Sequence, residues 1–340
     1  MMVIVLMMIG FFSLYLELGL RLRGIVPFQS IRISGDMVVV EFDPVLGWRN
    51  KVGVYTQWPK NWDDGKELKM TIWPGGLRAT APARVKKDRQ IILLGCSFIQ
   101  GWALRDEDTM AWKLQERFPE VEFLNYGTCG YGTYQSLLLL EEYLKDCPRP
   151  PAVVVYGLCD FHRDRNVAHL DFLRIVARCG QGLDRAQLPY CFIDKQGVLK
   201  RHSPVGYPVF WGDKYSVALD YVHYNFLKLF NRERARDMDV VTRKLLIEID
   251  MLCKRKGSRF AVCLLRNNVL DANFNVVRTS IPGVDKQFFR EHDIDLIDCG
   301  LPEKQSFRLI VKGEIHPSAM VNTYWAERVA DYLKTRYFAL

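Results

Sequence analysis

The sequence predicts an α/β protein, a parallel sheet covered by helices on both faces and three layers deep. Three observations predict it. From residue 89 onward, apolar runs of strand length recur along the 340-residue chain. Segments of helical period separate these runs. The loops that follow several of the runs are polar or rich in glycine. Runs that are apolar on consecutive residues are those of strands buried on both faces, and parallel strands need helical crossovers. Right-handed crossovers then give an α/β/α sandwich.

The elements follow in chain order. Met1 to Leu16 carries no side-chain charge and is rich in Met, Val, Ile, Leu and Phe; Glu17 interrupts it before Arg21 and Arg23. A bilayer span needs roughly 20 apolar residues. No basic leader or small-x-small cleavage site is present, so residues 1–23 are expected to be an uncleaved transmembrane anchor rather than a signal peptide. Residues 24–88 read as a small β-rich segment, with strand-like content at Val38–Phe42 and Lys69–Trp73. Trp48, Trp58, Trp62 and Trp73 fall here and are expected to pack the segment onto the main domain, with carbohydrate stacking as the alternative.

The main domain spans 89–340. Its strands are expected at Gln90–Leu94, Val121–Tyr126, Pro151–Tyr156, Arg259–Leu264 and Asp293–Asp298. Helices are expected at Thr109–Phe118, Tyr134–Lys145, Val241–Lys256 and Asn322–Arg336. Residues 166–240 break the rhythm and read as an insertion, aromatic-rich at Tyr207–Tyr224. No internal repeat or low-complexity tract interrupts the pattern.

Composition excludes some classes of function. The net charge of +8 is scattered, with no basic stripe interleaved with aromatics, so a nucleic-acid partner is not expected. The nine cysteines are odd in number and include no C-x-x-C pair and no Cys/His cluster of zinc-finger spacing. They read as reduced, mostly buried thiols, and no metal is expected.

The chemistry lies in the loops after the strands. Gly95-Cys96-Ser97-Phe98 follows the first strand, and Asn125-Tyr126-Gly127-Thr128-Cys129-Gly130 follows the second. Gly157-Leu158-Cys159-Asp160-Phe161-His162 follows the third, running on to Asn166, and Gly313-Glu314-Ile315-His316-Pro317 follows the fifth. All four would meet at the carboxyl edge of the sheet, where open α/β sheets bind ligands. A serine needs a base to become a nucleophile, an imidazole suits that task, and a carboxylate fixes its tautomer. Backbone N–H groups must then stabilise the oxyanion.

These blocks together resemble the SGNH, or GDSL-type, hydrolase superfamily over residues ~89–335. The resemblance implies a flavodoxin-like sandwich with Ser97 as nucleophile, His316 as base and Glu314 as the acid that orients it. It implies an oxyanion hole from the Ser97 and Gly130 N–H groups and a third donor. The sequence departs from the family at three points. Cys96 stands where the family has Asp. Gly313 occupies the usual acid position, so Glu314 must reach from one residue later, and Asp298 is the fallback acid. The third block lacks Gly-Asn-Asp: Cys159 falls near the asparagine slot, His162 or Asn166 could supply the donor, and His162 is preferred.

The expected function is a serine esterase or deacylase needing no cofactor, acting on an acylated glycan or lipid-linked substrate of the cell envelope. O-acetyl transfer to a polysaccharide and non-catalytic glycan binding are the alternatives. Cys96 as the nucleophile is a lesser alternative. The resemblance implies a membrane-anchored domain outside the cytoplasm, although Arg21, Arg23 and the cysteines argue the other way.

Overall fold

The computed structural model describes residues 2–29, 38–57, 68–145, 147–179, 186–265, 268–270, 276–278, 280–301 and 316–338. Helix α1 runs Met2–Leu22; β1 (Val40–Asp43) and β2 (Gly47–Asn50) form a hairpin, followed by β3 (Gly53–Gln57), β4 (Leu68–Trp73) and β5 (Leu77–Arg78). The chain continues through β6 (Gln90–Leu94), α2 (Ser97–Gln100), α3 (Met110–Arg117), β7 (Glu122–Asn125), α4 (Thr133–Lys145) and β8 (Val153–Leu158). Next come α5 (His162–Asn166), α6 (Leu170–Arg178), a hairpin of β9 (Leu188–Ile193) and β10 (Leu199–Val205), α7 (Val217–Arg236) and α8 (Met238–Lys256). The chain closes with β11 (Arg259–Leu264), β12 (Asn268–Leu270), β13 (Val276–Arg278), α9 (Lys286–Glu291), β14 (Asp295–Asp298) and α10 (Ala319–Arg336).

The central sheet has the order β14-β11-β8-β6-β7-β5-β4-β3. Its first five strands are parallel. Counted along the chain, β7-β6-β8-β11-β14 is the order 2-1-3-4-5 of flavodoxin-like sheets, whose ligands sit beyond the carboxyl ends of the strands. Consecutive residues point to opposite faces. Ile91, Leu93, Val153, Val155, Ala261 and Cys263 pack with α3 and α10 on one side. Ile92, Leu94, Val154, Tyr156 and Val262 pack with α4, α8 and α9 on the other. Every residue of β7 and β8 is buried, and each large apolar side chain so placed contributes roughly 1.5–3 kcal/mol. That burial is why β8 reads as an almost unbroken apolar run.

The sheet is not purely parallel. β5, β4 and β3 extend it, all antiparallel, joined through Arg78 opposite Asn125. The join is short, and polar side chains hold it. The Arg78 guanidinium is fully buried. It donates to Leu104 O at 2.9 Å and Gln100 O at 3.2 Å, and pairs with Asp106. Asp106 also accepts the Thr71 N–H at 2.9 Å.

The insertion folds as α6, the β9–β10 hairpin and α7. A bidentate pair between Arg174 and the buried Asp220, at 2.8 and 2.5 Å, pins α6 to α7.

The N-terminus corrects the sequence expectation. Residues 2–22 are helical, but no helix among the described residues is long and apolar enough to cross a membrane. The end of α1 is committed to the globular domain. Glu17 accepts hydrogen bonds from the Ser216 hydroxyl and the Ala218 N–H, both at 2.8 Å, at the start of α7. Arg21 reaches Tyr215 O at 3.3 Å, and Leu20 is buried. Burial raises the Glu17 pKa, but the Ala218, Ser216 and Arg21 hydrogen bonds outweigh it and hold the carboxyl at about 2. Ahead of this docked end, Ile4, Val5, Met7, Met8, Phe11, Phe12, Leu14 and Tyr15 are exposed.

Replacing Arg78 by Met leaves the Asp106 carboxylate without its buried partner. Removing one member of a buried pair costs about 3–5 kcal/mol. Urea denaturation of the R78M variant should show that loss; unchanged stability would mean that the join does not depend on the pair.

Candidate active site

Ser97 opens α2 immediately beyond β6. Gly95 precedes it with φ of +150°, and a Cβ there would lie 2.7 Å from the Ile99 side chain and 3.1 Å from Gly157 O. Only glycine allows this sharp strand-to-helix turn. Gly101 ends α2 in the left-handed conformation, φ +73°.

The structure brings Ser97 and His316 together across 219 residues. His316 Nε2 lies 3.1 Å from Ser97 Oγ, within reach for proton transfer. His316 stands between aromatic rings, with the Phe98 and Trp102 centroids at 6.0 and 6.1 Å. Phe98 in turn meets Phe161 edge-on at 5.5 Å and stacks on Trp325. Arg165 lies over the Phe161 ring at 4.2 Å and donates to Tyr131 O at 2.8 Å. The Ser–His pair thus sits among aromatic side chains, and Ser97 itself is only 4% exposed.

Gly130 lies in the loop after β7 with φ of +82°. Among the described residues, neither its N–H nor that of Ser97 donates to a protein acceptor. Three contacts fix the loop. Trp48 Nε1 donates to Cys129 O at 2.8 Å, and a Cβ on Gly130 would stand 2.9 Å from the same indole. Asn125 Nδ2 donates to Ile99 O at 2.9 Å and its Oδ1 accepts the Gly127 N–H at 2.9 Å. Asn50 Nδ2 bridges Gly76 O and Gly127 O while its Oδ1 accepts from Gln100 Nε2 at 2.8 Å.

The third block has a different role. Asn166 is buried, and its amide is spent on Thr133, Thr242 and the Tyr134 N–H. His162 is fully buried, with Nδ1 2.7 Å from the Tyr156 hydroxyl and beside the Cys159 N–H. Burial lowers its pKa and keeps the ring neutral. Its neighbours are the buried thiols of Cys96 and Cys159, a position closed to a substrate oxyanion. Cys96 is likewise fully buried, beneath Ser97 rather than in the cleft. Glu314 lies outside the described residues. The Asp298 carboxylate accepts the Gly300 N–H at 3.1 Å.

The nucleophile turn follows the first parallel strand, the glycine loop the second, and the histidine lies beyond the fifth, in a sheet of order 2-1-3-4-5. The chain has a flavodoxin-like α/β/α fold with a serine–histidine pair at the carboxyl edge of its sheet. No protein-family profile matches the sequence, and no curated protein matches it. Solved structures do. One is a lipolytic protein of the G-D-S-L family from Veillonella parvula, 15% identical, covering 73% of this chain and 99% of that one at a TM-score of 0.41. Another is described as a putative lipolytic protein of the G-D-S-L family from Desulfitobacterium hafniense, 10% identical, covering 71% and 98% at 0.40. A third is the psychrotrophic esterase EstA from Pseudoalteromonas sp., 12% identical, covering 73% and 97% at 0.38.

Trp48 packs the N-terminal segment onto the main domain as expected, while Trp58 and Trp62 lie outside the described residues; sequence reasoning missed Asn50 and Arg78, which hold the site in register, and Trp102 beside His316. The signal for Asn50 and Arg78 was an asparagine and an arginine in a short strand-rich segment, which the sequence shows without their partners.

Replacing Gly130 by Ala puts a methyl group against Trp48 and strains a positive φ. Displacing one oxyanion donor costs ~100-fold or more in kcat. The G130A enzyme should lose at least about 10-fold in ester turnover while remaining folded by circular dichroism; an unchanged kcat would remove Gly130 from the oxyanion hole.

Proposed function

We propose that the protein is a serine esterase that cleaves ester-linked acyl groups by double displacement. The observation that carries this reading is the 3.1 Å contact of His316 Nε2 with Ser97 Oγ, at the sheet edge where, among the described residues, the Ser97 and Gly130 N–H groups have no protein acceptor. His316 takes the Ser97 proton on Nε2 as Oγ attacks the ester carbonyl carbon. The carbonyl oxygen becomes an oxyanion and accepts from the two N–H groups, each commonly worth ~3 kcal/mol. As the carbon–oxygen bond breaks, His316 returns the proton to the leaving alcohol. A water, deprotonated in turn by His316, then attacks the acyl-serine and releases the acid. This cycle needs Nδ1 of His316 protonated, the role given to Glu314 from the sequence.

The finer reading is an acylated envelope glycan or lipid-linked substrate, with the site outside the cytoplasm and beside a membrane. The aromatic rings of Phe98, Trp102 and Phe161 suit an acyl chain or a sugar face. The exposed surface of α1 supports membrane association of a kind that does not span. Phe11, Phe12, Leu14 and Tyr15 are all more than half exposed, and Trp211 and Tyr215 are exposed near its docked end. Apolar side chains with Trp and Tyr at their margin and Arg21, Arg23 and Lys214 nearby form the pattern of a helix that enters one leaflet.

A fluorophosphonate should label the protein, and p-nitrophenyl acetate should be hydrolysed. Ser97→Ala should abolish labelling, and His316→Ala should lower kcat by at least about 10⁴-fold. A folded parent that neither labels nor turns over ester would sink the enzyme reading in favour of glycan binding. Acyl transfer to an added sugar exceeding hydrolysis would make it a transferase.

The full chain should float with anionic lipid vesicles, and a chain lacking residues 2–16 should remain in the soluble fraction with its esterase rate intact. Equal flotation of the two would remove α1 as the membrane contact.

A further inference from the structure

Helix α7 carries an apolar face that points away from the domain. Its inward side is Asp220, Tyr224, Leu227 and Asn231, at the steps of three and four that mark one face of a helix. Tyr224 and Leu227 pack, as Trp102 does, against the core cluster that contains Tyr131. Asp220 pairs with Arg174, and the Asn231 Oδ1 accepts the Leu170 N–H at 3.2 Å. On the opposite side Leu219, Val222, Phe226, Leu229 and Phe230 follow the same interval and are 47 to 69% exposed. The Phe226 and Phe230 rings meet with centroids 4.9 Å apart. A surface helix of a globular protein normally turns a polar face to water. A contiguous apolar stripe turned outward marks an interaction surface.

The charges around the stripe favour one kind of partner. α7 has four basic residues and two acidic ones, and Asp220 is buried against Arg174. Lys228, Arg232 and Arg236 recur every fourth residue along one border of the stripe, and all three are exposed. Lys228 stands over the Tyr224 ring at 5.6 Å, and Arg236 pairs with Asp237 at 3.4 Å. Glu233 is the single exposed carboxylate of the helix. Toward its start the stripe runs on into the exposed Tyr215, Trp211 and Phe210, with Lys214 among them. Glu17 of α1 docks at this end, and Leu18 next to it is more than half exposed, so the two apolar surfaces adjoin. Bulky apolar side chains bordered by Lys and Arg, with Trp and Tyr at the margin, suit an anionic leaflet. A second copy laid antiparallel on the stripe would set the basic border against itself.

We propose that the outer face of α7 rests in the headgroup layer of an anionic membrane, as a second contact beside α1. This rests on the reading of α1 as a membrane contact and adds a contact made by the globular domain. Phe226, Leu229 and Phe230 enter the apolar boundary, and the basic border meets lipid phosphates. The stripe acts once α1 holds it at the surface, where its binding becomes an intramolecular step. A chain lacking residues 2–16 loses that tether and stays in solution. Tyr131 follows Gly130, and Trp102 stands beside His316. Because the reverse side of α7 packs with both, seating the helix fixes the catalytic edge in relation to the bilayer.

The test uses the full chain with vesicles of phosphatidylcholine containing phosphatidylglycerol, and of phosphatidylcholine alone. Phe226→p-benzoylphenylalanine puts a photocrosslinker on the stripe, and Lys195→p-benzoylphenylalanine puts one on the β9–β10 turn as a control. A lipid adduct at position 226 and none at 195, read by mass spectrometry after irradiation, is the expected result. Phe226→Glu combined with Phe230→Glu should weaken binding to the anionic vesicles by at least about 10-fold. Both side chains are already exposed, so hydrolysis of p-nitrophenyl acetate in solution should not change. Flotation with no adduct at 226, undiminished in the double variant, would overturn the α7 contact and leave that of α1. A parent that does not float would overturn both. Equal binding to the two vesicle compositions would overturn the anionic leaflet as the occupant. A crosslink from position 226 to another chain in vesicle-free solution would replace the bilayer with a second copy. If the double variant does not fold, the adduct map of the parent chain still decides the question.

Discussion

The buried guanidinium of Arg78 is the constraint on which the catalytic edge depends. It comes from a two-residue strand, yet it holds the carbonyls of Gln100 and Leu104 just after the nucleophile and pairs with Asp106. A charge taken wholly out of water is tolerable only when paired and hydrogen-bonded on every side. The strand, the turn and the Asp106 loop must therefore stay in one arrangement. Asn50 and Trp48 extend the same logic, the first to Gly127 and Gln100 and the second to Cys129. The N-terminal segment is thus part of the scaffold that holds the active edge, rather than a separate cap.

That scaffold explains how little the site itself has to supply. A parallel sheet delivers four loops to one edge, so a serine and a histidine 219 residues apart meet at 3.1 Å. The glycines on either side of Ser97 and at Gly130 permit the backbone to present N–H groups that no acceptor among the described residues uses. Aromatic rings flank His316, and Ser97 beside it is almost fully buried, which strengthens the polar contact between them. Catalytic power of this kind comes from donors fixed before the substrate arrives.

Much of this was legible in the sequence. The five parallel strands and their covering helices were read within a few residues of their ends, because strands buried on both faces leave an unbroken apolar signature. The sequence placed Ser97 and His316 after the first and fifth parallel strands, where the structure brings them within 3.1 Å of each other. The antiparallel extension was not legible as part of the same sheet. Its join rests on one register pair and on polar side chains, neither of which has a periodicity. The apolar N-terminus misled for a related reason. Hydropathy marks residues 1–23 as one run, but Glu17 and Leu20 dock on the domain.

By itself, the sequence determined the layers, the strands and the side chains available at the carboxyl edge, since these follow from local patterning and from the direction of parallel strands. Only the tertiary structure decided which of them meet. It placed Asn166 in a structural hydrogen-bond network and turned His162 toward two thiols, because each found its partners on elements far away in the chain. It also made Arg78 a central strut of the site. Partner choice for a buried polar group is set by which groups are close enough to satisfy it, and closeness is a property of the folded chain.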